Sequence, residues 1–215
     1  MSSWSVVPIK SFKRPKSRLN DSLSLEERRN LVKAMLITVV NSLGSSQIFE
    51  ERYVVTEDIE VIKFAKRYGV KGLLQKKPGL NQGVTEIAAL AKRKNIKNLF
   101  IIHGDIPRVD KKIIRLIFNK HRKLLKKYKK GLTIAPDLEG EGSNCMICSP
   151  PDTIKFRYGP GSCTAHLEAA HDSKVKAQLY SSKKLGMDID RDEDLDKFMR
   201  KKGITNVSEY ITIKK

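Results

Sequence analysis

The sequence predicts an α/β fold: a mostly parallel sheet with helices on both faces, in a single domain. Three observations predict it. Short apolar runs alternate along the chain with longer stretches whose apolar residues recur three or four apart. Such β-α-β-α order closes into parallel strands joined by crossover helices. One run, Asn98-Leu99-Phe100-Ile101-Ile102, is apolar at nearly every position, as a central parallel strand covered on both faces must be. Finally, 215 residues of which 40% are hydrophobic can bury one substantial core.

The elements follow in order. Val6-Val7-Pro8-Ile9 reads as a first strand, followed by a long cationic loop from Lys10 to Asp21. Ser24 and Glu27 form a capping box that opens a helix carrying Val32, Leu36, Val39 and Leu43, with Gly44 placed to end it. Tyr53-Val54-Val55-Thr56 is a second strand, and a helix with Ile59, Ile62, Ala65 and Tyr68 runs up to Gly69. Gly72-Leu73-Leu74-Gln75 is a third strand; the turn Lys77-Pro78-Gly79-Leu80-Asn81 leads into a helix with Val84, Ile87, Ala88 and Ala91. The apolar run 98–102 is the fourth strand. A helix with Ile113, Ile114, Ile117 and Leu124 and a strand at 132–135 complete the part expected to hold a nucleotide, residues 1–135. Residues 136–195 read as strand- and loop-rich, a lid or acceptor part on the same sheet, with a short helix near 164–170. Residues 196–215 read as the close of a helix begun near Glu193, and a tail.

Composition narrows the function. No apolar run is long enough to span a bilayer, and Lys10 cuts the first apolar stretch too short for a signal core, so a cytoplasmic chain is expected, with no membrane partner. Three cysteines make no disulfide framework. Cys145 and Cys148, with no second pair and no nearby histidine at ligand spacing, read as buried thiols, not a zinc site. The formal net charge of +19 fits either nucleic acid or small anionic substrates. The basic stretch Lys120–Lys130 reads as the solvated end of a helix, and no motif calls for a specific nucleic acid.

Four segments fall where an open α/β sheet binds ligands, beyond the carboxyl ends of its strands. The loop 10–18 places Lys10, Lys13, Arg14, Lys16 and Arg18 ahead of a helix, a charge density suited to a triphosphate. His103-Gly104-Asp105-Ile106-Pro107 sets a carboxylate just past the buried strand, where it can hold a divalent cation, Mg²⁺, together with substrate phosphates. In Asp188-Ile189-Asp190, residues two apart face one way, and two adjacent like charges call for a cation between them. The glycine-rich stretches Glu139–Asn144 and Tyr158-Gly159-Pro160-Gly161-Ser162 let an anion approach backbone N–H groups.

Read in order, these segments resemble the 2-phospho-L-lactate guanylyltransferases of coenzyme F-420 biosynthesis. The match runs through Trp4…Val7-Pro8-Ile9-Lys10, Lys16-Ser17-Arg18-Leu19, Arg28-Arg29…Leu31, Gly79-Leu80-Asn81 and Gly104-Asp105-Ile106-Pro107. It continues through Ala135-Pro136-Asp137, Gly142-Ser143-Asn144, Tyr158-Gly159-Pro160-Gly161-Ser162…His166 and Asp188-Ile189-Asp190…Asp194-Leu195. The resemblance implies a nucleotide-diphospho-sugar transferase type of fold and a reaction between GTP and a small phosphorylated acid that releases pyrophosphate. The acid is 2-phospho-L-lactate, phosphoenolpyruvate or 3-phosphoglycerate. It implies Lys10, Lys16, Arg18 and Asp105 as catalytic, and Ser143, Gly159, Ser162 and Asn81 as substrate-binding. Asp105, Asp188 and Asp190 match Mg²⁺ ligands, and the family suggests a homodimer. The chain departs from the family at Ser143, where relatives often have threonine, and in the acidic loop Glu139-Gly140-Glu141-Gly142. A sister transferase acting on sugar phosphates or the molybdenum cofactor, or a basic nucleic-acid-binding protein, are the alternatives.

Overall fold

A computed structural model describes residues 2–202, 209, 210 and 212. Its strands are β1 (Ser3–Pro8), β2 (Glu51–Thr56), β3 (Lys71–Leu74), β4 (Asn98–Ile102), β5 (Gly131–Pro136), β6 (Ser143–Ser149) and β7 (Lys176–Leu179). Its helices are α1 (Leu25–Ser46), α2 (Ile59–Lys66), α3 (Leu80–Arg93), α4 (Lys111–Leu125), α5 (Ser162–Asp172) and α6 (Asp192–Lys202). The strands form one sheet in the order β3-β2-β1-β4-β6-β5-β7. The β1–β2, β2–β3, β1–β4 and β5–β7 pairs are parallel, while β6 runs antiparallel to both β4 and β5. The α/β class and mostly parallel sheet expected from the sequence are found.

Strand alternation sorts the core into two layers. Val7, Val54, Phe100, Ile102, Ala135, Cys145 and Ile147 face a cluster built from α1, α2, α4 and α6. Their neighbours Val6, Val55, Leu99, Ile101, Ile134, Met146 and Cys148 face a second cluster under α3 and α5. Cys145 and Cys148 are both buried and free, as expected, and three positions apart they point to opposite faces, so one metal cannot bridge them.

Two local readings are corrected. Gly44 does not end α1, which runs on to Ser46 and closes at Gln47 in the left-handed region. Gly44 instead makes room for Arg52: a Cβ there would lie 2.5 Å from the guanidinium, which donates to the carbonyls of Val40 and Gly69. The segment after β5, read from sequence as strand- and loop-rich, supplies β6, whose antiparallel direction departs from the parallel order expected. Asp137 accepts from the N–H groups of Glu141 (2.8 Å) and Gly142 (2.7 Å) and folds 137–142 into a tight return. A return that short can only join antiparallel strands. The expected final helix is α6; the tail beyond it falls largely outside the described residues.

His121, in the stretch read as a solvated helix end, is buried between α4 and the sheet. Its ring nitrogens lie 2.8 Å from Thr133 Oγ1 and 2.8 Å from Ser149 Oγ, and burial lowers its pKa to about 4. The folded pKa lies below the unfolded one, so the stabilisation is complete above about pH 6.5 and is lost as pH falls toward 4. Urea unfolding across pH 7.5 to 4.5 should show the protein losing up to about 3 kcal/mol that a His121→Gln variant does not lose. Identical pH profiles would mean that water reaches the ring.

Candidate active site

The strand order reverses between β1 and β4, with β2 and β3 on one side and β6 on the other. A crevice opens there beyond the carboxyl ends, as expected for open α/β sheets. It is a cleft of about 980 Å³, walled by the loop after β1, the ends of β2 and β3, Gly79 and Leu80 at the start of α3, His103 to Asp105 after β4, and Asp190.

The cationic loop is tied down. Asp58, 6% exposed, accepts from Ser11 Oγ at 2.6 Å and Phe12 N at 3.0 Å while its other oxygen caps α2 through Glu60 N at 3.0 Å. Arg29 on α1 donates to the carbonyls of Phe12 (3.0 Å) and Lys13 (3.2 Å). Thr56 Oγ1 donates to the Lys10 carbonyl. Phe12 is buried edge-on against Phe64, with ring centroids 5.5 Å apart. Lys16 takes a left-handed backbone (φ 49°) and turns its side chain into the cleft, where Ser17–Leu19 form a single 3₁₀ turn ahead of α1.

At the cleft floor the charges interlock. The Lys16 ammonium, 9% exposed, lies 2.6 Å from Asp105 Oδ2 and 3.5 Å from Asp190 Oδ1, and Arg18 pairs with Asp190 from the solvent side. Burial opposes the charge on Lys16, but Asp105, then Asp190 and Asp188, outweigh it and raise the pKa above the ordinary lysine value. Burial likewise opposes ionisation of Asp105, and Lys16 overcomes it, so this carboxyl is held below its usual range. Asp188 sits behind, accepting from Asn144 Nδ2 at 3.1 Å. Burial and the Asp105 charge raise its pKa to about 6. Asp105 Oδ1 is buried with no hydrogen-bond partner. Among the described residues no three carboxylate, histidine or cysteine side chains converge as a metal cage; the space between Asp105 and Asp190 is held by the Lys16 ammonium.

Lys10, Lys16, Arg18, Asp105 and Asp190 thus meet in one cleft, with Asp188 adjoining. Ser143, Gly159, Ser162 and Asn81 form a neighbouring group under α5 that does not line it. Ser162 Oγ accepts from Ser143 N at 3.0 Å, and Ser143 Oγ lies 3.0 Å from His166 Nδ1. Asn81 grips the backbone of Tyr158 through both amide atoms, at 2.6 and 3.0 Å. Tyr158 packs between His103, tilted against it with centroids 5.4 Å apart, and His166, edge-on at 4.8 Å, and bridges the two groups. His166 Nε2 accepts from Arg157 N at 2.9 Å, and burial lowers the His166 pKa to about 4. Gly159 and Gly161 have positive φ, with open space where a Cβ would stand.

Sequence reasoning passed over Asp58, Glu57 and Gln75. Asp58 carried a readable signal, since a Thr-Glu-Asp end to a strand ahead of an apolar-periodic helix places an N-cap there. Glu57 and Gln75 carried none, because their role comes from β2 and β3 lying side by side.

The family model for guanylyl transferases of the CofC type matches residues 4–214. The chain belongs to this family. It is 33% identical over 192 residues, 88% of this chain and 81% of the relative, to a 2-phospho-L-lactate guanylyltransferase from Methanocaldococcus infernus. It is 28% identical to a phosphoenolpyruvate guanylyltransferase from Conexibacter woesei, over 91% of this chain and 86% of the relative. It is 27% identical to a 3-phospho-D-glycerate guanylyltransferase from Colwellia psychrerythraea, over 89% and 88%. Among solved structures, a protein from Desulfovibrio desulfuricans G20 assigned as a nucleotide-diphospho-sugar transferase superposes with a TM-score of 0.72 over 98% of this chain and 93% of its own. At 15% identity this shows the nucleotide-diphospho-sugar transferase fold alone. Among the described residues no helix is long and apolar enough to cross a membrane.

For this guanylyl transferase family member, Asp58→Ala should cost about 1–3 kcal/mol of stability through the lost cap and loop bonds. It should also weaken nucleotide binding, with Asp58→Asn recovering part of both. Denaturant melts and calorimetry with GTP read the two effects; unchanged GTP affinity would show that the loop holds its shape without Asp58.

Proposed function

We propose that this chain transfers GMP from GTP to a small phosphorylated acid and releases pyrophosphate, the acid being 2-phospho-L-lactate, phosphoenolpyruvate or 3-phosphoglycerate. The product would serve the cytoplasmic assembly of coenzyme F-420. One observation carries the reading: in a guanylyl transferase family chain, a pinned loop of five cations faces Asp105 and Asp190 across a single cleft at the β1–β4 switch point.

A phosphate oxygen of the acid attacks the α-phosphorus of the nucleotide, the new P–O bond forms, and the bond to the β-phosphate oxygen breaks. The acid phosphate is already anionic near neutral pH, so no protein nucleophile or strong base is required. The work left to the chain is orientation and charge neutralisation. Lys10, Lys16 and Arg18 sit where they can accept the charge that builds on the leaving pyrophosphate. The guanidinium of Arg18, exposed and swung onto Asp190, is free to exchange that partner for a phosphate. Ser143, Gly159, Ser162 and Asn81 hold the acid in this reading, Asn81 by fixing Tyr158 and the serines by giving up their mutual contacts.

Asp105 and Asp190, with Asp188 beside them, fit a hard divalent cation such as Mg²⁺: all are oxygen donors, one Asp105 oxygen is buried without a partner, and a cation already lies between two of them. Bound there, Mg²⁺ would supply charge neutralisation at the phosphates.

Pyrophosphate release with Mg²⁺, measured across four nucleoside triphosphates and the three acids, should appear with GTP and one acid. Asp105→Asn should keep the fold, judged by circular dichroism, and lower turnover by roughly 100-fold or more, a barrier increase of about 3 kcal/mol. Release with a pyrimidine triphosphate and a sugar phosphate instead would assign a sister transferase.

A further inference from the structure

The cationic end of the cleft accounts for phosphates and says nothing about which base is read. A separate carboxylate on its wall has different chemistry. Of the cleft's lining residues only Glu57, Asp105 and Asp190 are acidic, and the two aspartates are engaged by Lys16 and Arg18. Glu57 makes no ion pair with these cations; it is exposed, just past the end of β2, in a cleft whose lining also includes Pro8, Val55 and Leu80.

Its carboxylate is held in place. Oε1 accepts from Gly79 N at 2.8 Å, with Gln75 Nε2 at 3.4 Å. Gln75 Nε2 also donates to the carbonyls of Lys77 (2.7 Å) and Gly79 (3.1 Å), so the turn 76–79 is closed over the end of β3. The second oxygen, Oε2, has no hydrogen-bond partner among the described residues. Gly79 has φ 101°, and a Cβ there would meet nothing within 4 Å, so the space in front of this carboxylate is open. Leu80, 39% exposed, offers an apolar face beside it.

Resting on the guanylyltransferase reading, we infer that Glu57 reads the nucleotide base by accepting from the two adjacent donors of guanine, N1–H and the exocyclic 2-amino group. A carboxylate offers only acceptors. Guanine is the base that presents two donors side by side on that edge. Inosine lacks the amino group, xanthine has an acceptor in its place, and adenine has no N1–H. The triphosphate then lies toward Lys16 and Arg18, and the purine lies against Leu80.

Glu57→Gln separates this from a role in pinning the turn. The amide oxygen still accepts from Gly79 N, while the amide nitrogen is a donor that suits the xanthine O2 and repels the guanine amino group. Calorimetry with Mg²⁺ and GTP, ITP or XTP should show the wild-type protein favouring GTP over ITP and XTP by roughly 10-fold or more, the range for hydrogen bonds to a charged group. Glu57→Gln should lose that preference and bind XTP at least as well as GTP. Glu57→Ala should lose it without gaining XTP, which guards against a Gln variant that folds poorly.

Wild-type affinities for GTP and ITP within about twofold of each other, or a GTP-to-XTP ratio unchanged in Glu57→Gln, would overturn the assignment. Pyrophosphate release measured in parallel distinguishes the two readings. A base preference that reverses without turnover on any acid sinks the proposed reaction and keeps Glu57 as the reader. Turnover with GTP and an unmoved ratio does the opposite.

Discussion

The Lys16–Asp105 ion pair, 2.6 Å long and largely shielded from water, constrains everything around the cleft. Separating them is costly, because a poorly hydrated ammonium or carboxylate without its counter-charge loses up to several kcal/mol. Together they join two loops far apart in sequence, one after β1 and one after β4. The left-handed backbone at Lys16 places the ammonium, and the Asp58 and Arg29 contacts hold the loop that carries it. Asp190 joins through a backbone bond from Ile189 N to the Asp105 carbonyl at 3.2 Å. The last third of the chain is thereby fastened to the first.

This arrangement makes a cleft with two kinds of chemistry. Where Lys16 and Arg18 face Asp105 and Asp190, a phosphate chain can replace one counter-charge with another. Glu57 and the exposed Leu80 suit the flat, donor-bearing ring inferred above. The segment proposed to hold the acid lies beside this cleft and adjoins it through the packed rings of His103, Tyr158 and His166. That layout matches a transfer reaction in which two substrates meet at one phosphorus atom.

Much of the fold was legible in the sequence because its signals are local. The Ser24–Glu27 capping box forms as read, the apolar run 98–102 is β4 to the residue, and helical spacing located α1 to α4. Gly44 misled because its missing Cβ serves Arg52, a contact made by a residue outside the helix. The reversed β6 escaped because the cue for it was the Asp137 side chain folding a turn, which a glycine-rich pattern hides. In the site, the cationic loop and Asp105 were visible as charge beside strand ends. Asp58, Glu57 and His166 act through partners 9 to 47 positions away in the chain, and no local pattern marks such pairs.

If Lys16 and Asp105 act as one unit, their contributions to folding stability are coupled, and a double-mutant cycle measures that coupling most directly. Lys16→Met, Asp105→Asn and the double variant would be unfolded in urea at pH 7. Each single variant should lose about 2–4 kcal/mol by stranding a buried charge, and the double variant much less than their sum, a coupling of about 2 kcal/mol or more. Losses that simply add would show two independent surface charges, and the organisation of the cleft described here would fall with them.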